Sequence, residues 1–359
     1  MLNSKASGTN ANAQPAPAAD NLVRGEDKRG AVKWQRETVS AVGVFVVCIA
    51  ALLLSRLINP EFGSLHQLQT ILTLASFLIV VSYGQGLTVL IGGLDLSMPS
   101  VITLGGVLTA AWMSTLSPAG AWWQIPALLV VCAAVGVVNG LGITLFRIPA
   151  FIMTLASGII VYSLCLGVTG GTPGGAAPAS LVTLMSGRIA GFPLVNVFVV
   201  VFCVIAAFVQ SRTSFGQRLY AMGSNAVAAR IAGIRINVMT VSTYALSAAF
   251  AGFAGMMLVG YSNGATLRIG DPYLLPSIAA VVIGGSSILG GRGTFVGTIG
   301  GAILLTIFDM IITSLGLAQG WRTMISGGLI LAAILLQHEG ALDWVRSIAR
   351  RRRAKTLRI

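Results

Sequence analysis

Long apolar segments recur along this chain from residue 38 to residue 337, and they limit its possible folds more than any other feature. A helix needs about 20 apolar residues to cross about 30 Å of hydrocarbon, because each residue advances it by about 1.5 Å. Such segments lie at 38–58, 70–91, 97–117, 124–145, 150–169, 193–210, 238–262, 275–290, 296–316 and 322–337. The sequence therefore predicts an all-α integral membrane protein of about ten transmembrane helices.

The composition agrees with a membrane protein and argues against a soluble domain. Hydrophobic residues make up 55% of the chain and charged residues only 9%, whereas soluble domains carry about 25% charged residues. The four cysteines fall inside candidate spans, without a CxxC pattern or a neighbouring histidine. Neither a disulfide nor a metal site is predicted.

The distribution of positive charge predicts the topology. If ten spans begin in the cytoplasm, the cytoplasmic segments hold 19 of the 23 Lys and Arg residues, as the positive-inside rule expects. Both termini are then cytoplasmic, with a disordered tail at 1–37 and a basic tail at 338–359. The basic residues lie beside apolar runs, so the net charge of +13 indicates contact with membrane lipid and not with nucleic acid.

The eighth segment, 275–290, is short and rich in glycine, which predicts a broken or re-entrant element. Its VVIGG motif at 281–285 resembles VLIGG at 89–93. Transporters often contain internal repeats, but paired glycines are also common in membrane helices by chance. Both explanations stay open.

Motifs of covalent chemistry are missing from the sequence. It has no GxxxxGK[ST] phosphate loop, no GxSxG and no HExxH. No catalytic residue, metal site or cofactor is therefore predicted on this chain.

The largest polar stretch, 213–236, predicts two short cytoplasmic helices joined by an elbow. Gly223 is predicted to end the first helix, Ser224 to cap the second, and Gly233 to form its left-handed C-cap. An apolar stripe is predicted along the second helix at Val227, Ile231 and Ile234. Such a helix either lies in the membrane interface or docks onto a soluble partner.

This stretch and three further motifs resemble a known family. TSFGQRLYAMGSNAVAARIAGI at 213–234, GGLDLSMPS at 92–100, IPAFIMTL at 148–155 and SIAAVVIGGSSILGGRGTFVGT at 277–298 are similar to motifs of monosaccharide permeases. These are the membrane-spanning subunits of ATP-binding-cassette importers for ribose, xylose and arabinose. The four motifs occur in the family's order, and the resemblance extends over nearly all of the chain after residue 65.

The resemblance implies a multi-pass protein of the bacterial inner membrane that works in an assembly. The assembly would contain a homodimer or a pair of permease chains, cytoplasmic ATPase subunits that hold ATP and Mg, and a periplasmic sugar-binding protein. The 211–237 loop would couple to the ATPase. The coupling residues carried over by this resemblance are Phe215, Gly216, Arg218, Tyr220, Gly223, Ser224, Asn225, Ala228, Arg230 and Gly233.

Polar residues in the apolar segments are candidates for a translocation pathway or gate. They are Asp95, Ser97, Asn139, Thr154 and Asp309. An acid inside a membrane is costly and often functional, yet Asp95 and Ser97 directly precede a predicted helix start, where both residue types cap free N–H groups. Asp309 is either a pathway-lining or helix-bonding residue, or a neutral bystander.

Three departures from the family pattern leave the exact sugar open. The chain has Tyr273-Leu274-Leu275-Pro276 where the family often has Tyr-Glu-Leu-Asp, Asp309-Met310 where many members have Asn-Gly, and Gly216-Gln217 where Gly-Arg is usual. The expected function is import of a small neutral monosaccharide. The alternatives are an ion- or proton-coupled secondary transporter that acts without an ATPase, and a membrane scaffold.

Overall fold

A computed structural model describes residues 41–57, 62–113 and 123–318, together with residues 320, 321, 324, 325, 327, 328 and 331. The predicted tails at 1–37 and 338–359 and most of the segment 322–337 lie outside the described residues. The count of ten helices and the side on which the termini lie therefore stay predictions.

The described chain is mostly helical. In chain order its elements are α1 (Ala41–Ser55), α2 (Leu65–Leu90), α3 (Met98–Ala111), α4 (Gln124–Leu145), α5 (Ala150–Thr169), α6 (Ala179–Ser186), β1 (Arg188–Ile189), β2 (Phe192–Pro193), α7 (Leu194–Arg212), α8 (Ser214–Ser224), α9 (Ala226–Ile231), α10 (Ile236–Ser262), a 3₁₀ turn (Asp271–Tyr273), α11 (Leu274–Ile283) and α12 (Phe295–Ser314). Six helices, namely α2, α4, α5, α7, α10 and α12, are long and apolar enough to cross a membrane. With the shorter apolar segments α1, α3 and Asp271–Ile283, they coincide with the first nine predicted spans, and the helical membrane architecture is confirmed.

Helices α2 and α10 form the centre of this bundle. Within their most apolar 18 residues, 78% and 72% respectively are buried, against 28% in α5 and in α7. The outer helices carry exposed Val, Leu, Ile and Phe side chains. Their exposure would be unfavourable in water, whereas in a bilayer these side chains face lipid.

Small residues let the inner helices approach closely. A methyl group added at Gly105 of α3 would overlap the backbone of Gly252 in α10, and one added at Gly136 of α4 would overlap the backbone of Tyr244. The contacts of α10 with α3 and α4 are therefore backbone against backbone.

An aromatic cluster holds α2, α7, α10 and α12 together. The Tyr83 ring on α2 lies 5.7 Å from that of Phe202, 4.9 Å from that of Phe250 and 4.6 Å from that of Phe295, measured between centroids. Tilted and edge-on arrangements such as these are the favourable ones for aromatic pairs.

Two breaks between helices meet in space. One, 91–97, separates α2 from α3, and the other, 284–294, separates α11 from α12. The Gly291 N–H donates a 2.8 Å hydrogen bond to the carbonyl oxygen of Leu90. The similar motifs VLIGG and VVIGG each extend into one of these breaks. Helix α11 has only 10 residues, so the eighth segment is short, as predicted.

One part of the fold has no counterpart among the predicted elements. Between α5 and α7 the chain forms α6 and an antiparallel pair of two-residue strands, β1 and β2. Leu181 and Met185 of α6 lie over Gly260 of α10. Their i, i+4 spacing was the available signal for a short amphipathic helix.

Candidate functional site

The 211–237 loop folds into α8 and α9, with two differences from the sequence prediction. The prediction that Gly223 ends the first helix is wrong, because α8 continues through Ser224. The predicted cap is also wrong. Asn225, not Ser224, caps α9, and its side-chain oxygen accepts 3.0 Å hydrogen bonds from the N–H groups of Val227 and Ala228. An amide oxygen reaches these N–H groups as well as a hydroxyl does.

The end of α9 follows the prediction. Gly233 has a φ of +86°, which is a left-handed conformation that favours glycine. The Ile234 N–H donates to the carbonyl oxygen of Ala229 over 3.0 Å, so the final carbonyls of the helix are satisfied as in a Schellman motif.

The inner face of α8 is seated on the break at 284–294. The Tyr220 hydroxyl donates a 2.6 Å hydrogen bond to the Gly293 carbonyl oxygen and accepts a 2.9 Å bond from the Gln210 side chain. A methyl group at Gly223 would overlap the Leu90 carbonyl oxygen and crowd the Gly291 nitrogen. Tyr220 and Gly223 thus connect α8 to both breaks.

The outer face of α9 is open and partly apolar. Val227 is 71% and Ile231 84% exposed, so two residues of the predicted apolar stripe have no cover within the described chain. Of the other predicted coupling residues, Phe215 is half-buried, Gly216 is buried against Gln210, and Arg218, Ala228 and Arg230 are exposed.

Four of the five predicted pathway residues come together around the break at 91–97. Asp95 is fully buried, and its Oδ1 accepts hydrogen bonds from both the backbone N–H and the hydroxyl of Ser97. The Asn139 amide donates to the Ser97 hydroxyl oxygen over 3.1 Å. Thr154 accepts a 3.0 Å bond from the N–H of Leu96.

Asp95 and Ser97 bond to each other in the turn that precedes α3. The Ser97 side chain makes no capping bond to α3, and Asp95 bonds to Ser97 itself, so the two residues close the turn before the helix. The break is therefore tied to α4 through Asn139 and to α5 through Thr154. The Ser247 hydroxyl of α10 also donates to the Asp95 carboxylate, and we call Asp95, Ser97, Asn139, Thr154 and Ser247 the polar network.

Asp309 lies apart from the polar network. It is exposed on α12, where its carbonyl oxygen accepts a 2.6 Å bond from the Thr313 hydroxyl. Its carboxylate interacts electrostatically with Tyr273, which lies just before α11.

Sequence reasoning did not assign Ser247 a specific partner and missed Gln85 and Tyr244. Ser247 on α10 donates to Asp95 Oδ2 over 2.8 Å. Within the described residues, the Tyr244 hydroxyl, both side-chain polar atoms of Gln85 and the Asn139 side-chain oxygen are buried without a hydrogen-bond partner. An amide inside an apolar helix was the available signal. Unsatisfied buried groups are costly, and Ser82 and Gln124 are further examples among the described residues.

In the part of the chain that the structure describes, no cluster of three or more His, Cys, Asp or Glu side chains could hold a metal ion. The polar network consists of hydroxyls, one amide and one carboxylate.

Comparison with known proteins gives a consistent picture. Residues 67–334 match the family described as branched-chain amino acid transport system / permease component. The chain is 31% identical to the galactose/methyl galactoside import permease protein MglC of Salmonella typhimurium, over 86% of this chain and 96% of that protein. It is 29% identical to the ribose import permease protein RbsC of Escherichia coli, over 85% of this chain and 95% of that protein. It is also similar to a probable ABC transporter permease protein of Sinorhizobium fredii, with 32% identity over 86% of this chain and 91% of that protein. No solved structure matches the chain.

Proposed function

The chain belongs to the family of permease components of branched-chain amino acid transport systems, and we propose that it is the membrane-spanning subunit of an ATP-driven importer of a small neutral sugar. It is a multi-pass protein of the bacterial inner membrane. In this proposal ATP and Mg are held by partner ATPase subunits, and this chain performs no covalent reaction.

The observation that carries the proposal is the two-sided position of α8 and α9. One side contacts both helix breaks through Tyr220 and Gly223. The other side presents the exposed Val227 and Ile231. A helix that only lay in the membrane interface would not need close backbone contact with the rest of the protein. A helix that docks onto a partner needs both an exposed face for that partner and a rigid attachment to its own bundle.

The contacts on the inner side give a path for movement. A displacement of α8 would displace the Gly291–Gly293 backbone and the Leu90 carbonyl oxygen. Gly223 has no side chain, so the backbones are in direct contact there. Leu90 ends α2, and the break that follows it contains Asp95. Asp95 is bonded to Ser247 of α10, so the movement would reach the central helix of the bundle.

The proposed assembly is a pair of permease chains, a pair of ATPase subunits and a periplasmic sugar-binding protein. The similarity to MglC and RbsC supports it, since their names describe import permeases for galactose and ribose. The exposed apolar faces of α4, α5 and α7 leave room for both lipid and a second permease chain.

The choice of a sugar over an amino acid follows from charge. A charged or zwitterionic cargo needs oppositely charged partners when it leaves water. Among the described membrane-spanning helices, the only Lys or Arg is Arg212, at the end of α7, and the one histidine, His66, lies at the start of α2. The Asp95 carboxylate already accepts hydrogen bonds from the hydroxyls of Ser97 and Ser247. Hydroxyl and amide groups remain, and these suit a neutral sugar.

Uptake by vesicles that hold the chain with its ATPase and binding protein tests the proposal. ATP-dependent uptake of a labelled neutral pentose or hexose is expected, with neither leucine nor a sugar phosphate transported. ATP-dependent uptake of leucine that no neutral sugar inhibits would refute the sugar assignment while keeping the transporter class.

A second candidate, a proton-coupled secondary transporter, is favoured by the buried carboxyl of Asp95 without a cationic partner among the described residues. It predicts uptake by vesicles that hold this chain alone, driven by a proton gradient and abolished by a protonophore. The importer predicts no uptake without the ATPase.

A further inference from the structure

A cavity of about 740 Å³ opens at the end of the bundle that carries α8 and α9. It lies between the end of α4 and the junction of α9 with α10. Three arginines, Arg147, Arg230 and Arg235, line it, together with three apolar side chains, Ile143, Ile234 and Ile236. Its volume is in the range of small-molecule sites, about 300–1,000 Å³.

No acid of the described residues balances the positive charge of this cavity. The acids of the described residues are Asp95, Asp271 and Asp309, and none of them lines the cavity. The ion pair recorded among the described residues, Arg268 with Asp271, lies elsewhere. Three like charges that line one concave surface repel one another and attract an anion.

Apolar surface continues from the cavity onto the outer helices. Leu145 and Phe146, which separate Thr144 from Arg147 at the end of α4, are exposed, and so is Val238 at the start of α10. The open cavity is therefore lined by three exposed arginines and has exposed apolar side chains beside it, at the end of membrane-spanning helices.

We propose that this cavity binds the headgroup of an anionic phospholipid, with the arginines on the phosphate and the acyl chains along α4 and α10. Arginine presents several N–H donors and matches phosphate geometry. An anionic phospholipid has a charged headgroup for the arginines and acyl chains for the apolar surface beside them. Basic pockets at the cytoplasmic ends of membrane helices are suited to such headgroups. An acidic protein segment would satisfy only the arginines.

The site adjoins the coupling helices. Arg230 belongs to α9, and Arg235 directly precedes α10. A bound lipid would hold α9 against α4 while leaving the exposed Val227 and Ile231 free for a partner. The proposal does not depend on the cargo or on the ATPase.

The test uses the purified full-length chain without partner subunits, with lipid retention measured by native mass spectrometry. The unmodified chain is expected to retain phosphatidylglycerol in preference to phosphatidylcholine of the same acyl chains. The double variant Arg147→Gln with Arg235→Gln should lower the affinity for phosphatidylglycerol by about tenfold or more. The matched control, Arg212→Gln with Arg218→Gln, removes the same charge from exposed positions outside the cavity and should keep the preference.

Soluble glycerol phosphate distinguishes a lipid from a free phosphate. If millimolar glycerol phosphate displaces phosphatidylglycerol from the unmodified chain, the cavity is a site for a soluble anion and the lipid proposal is wrong. Equal loss of lipid in both double variants, or no preference over phosphatidylcholine, would also overturn it. The test measures lipid retention and not uptake. Its result is therefore independent of whether the chain transports a sugar.

Discussion

The Ser247 hydroxyl on α10 donates a 2.8 Å hydrogen bond to Asp95 Oδ2 across 152 positions of the chain. This bond joins the break between α2 and α3 to the central helix of the bundle. Since Asp95 also accepts two bonds from Ser97, the carboxylate is the shared acceptor of the polar network. The first prediction concerns its removal.

Asp95→Ala should lower the free energy of unfolding by about 1–3 kcal/mol, because it leaves the buried Ser97 and Ser247 hydroxyls without their acceptor. Thermal unfolding in detergent measures the change. The matched control is Asp271→Ala, since Asp271 is exposed and pairs with the exposed Arg268, and loss of an exposed ion pair should change stability by less than about 1 kcal/mol. Equal stability of the two variants would mean that the polar network does not hold the break.

Gly136→Ala should separate α4 from α10, because the added methyl group would overlap the carbonyl oxygen of Tyr244. A cost of about 1–3 kcal/mol is expected from such overpacking. Gly167→Ala is the control. It lies in α5 with nothing within 4 Å of an added methyl group, so its unfolding temperature should not fall. A stable Gly136→Ala variant would show that the two backbones are not in contact.

Gly223→Ala should uncouple ATP hydrolysis from transport, because the methyl group would lift α8 from the Leu90 carbonyl oxygen and Gly291. The variant should still insert and assemble with the ATPase. Tyr220→Phe, which removes the hydroxyl bonded to Gly293 and Gln210, should weaken the coupling in the same direction.

The measurements for this prediction are ATPase activity and sugar uptake by the reconstituted complex. The control is Gly167→Ala in α5, where the same added methyl group has nothing within 4 Å. Normal uptake by Gly223→Ala would show that the seat of α8 does not transmit movement.

The topology predicted from charge places residue 224 in the cytoplasm and residue 176, between α5 and α6, outside. Reporter fusions after residues 30, 224 and 350 should all report the cytoplasm, and a fusion near 176 should report the periplasm. A periplasmic signal at 224 would contradict both the number of spans and the docking of α8 and α9 on an ATPase.

Features that depend on one segment could be predicted from the sequence. Length and hydropathy located the membrane-spanning helices, because the cost of placing a polar backbone in hydrocarbon acts on each segment separately. The left-handed turn at Gly233 and the short eighth segment were likewise visible in local composition.

Features that depend on contacts between distant segments were decided by the tertiary structure. The sequence pointed to Asp95 and Ser97 as neighbours at a helix start, but only packing brought Ser247, Asn139 and Thr154 to them. The wrong prediction of Ser224 as a cap has the same cause. Its hydroxyl bonds to the Tyr220 carbonyl oxygen instead, and the turn before α9 leaves Asn225 in reach of the free N–H groups.

The sequence by itself determined that this chain is a helical membrane protein with glycine-rich breaks and a polar loop of two short helices. Hydrophobicity and backbone preference act over a few residues, so their effects can be read along the chain. Only the tertiary structure decided that the loop rests on both breaks and that three arginines share one cavity. The seat of α8 depends on the close backbone approach at Gly223, and a glycine in the sequence shows that a close approach is possible there but does not show which segment approaches it.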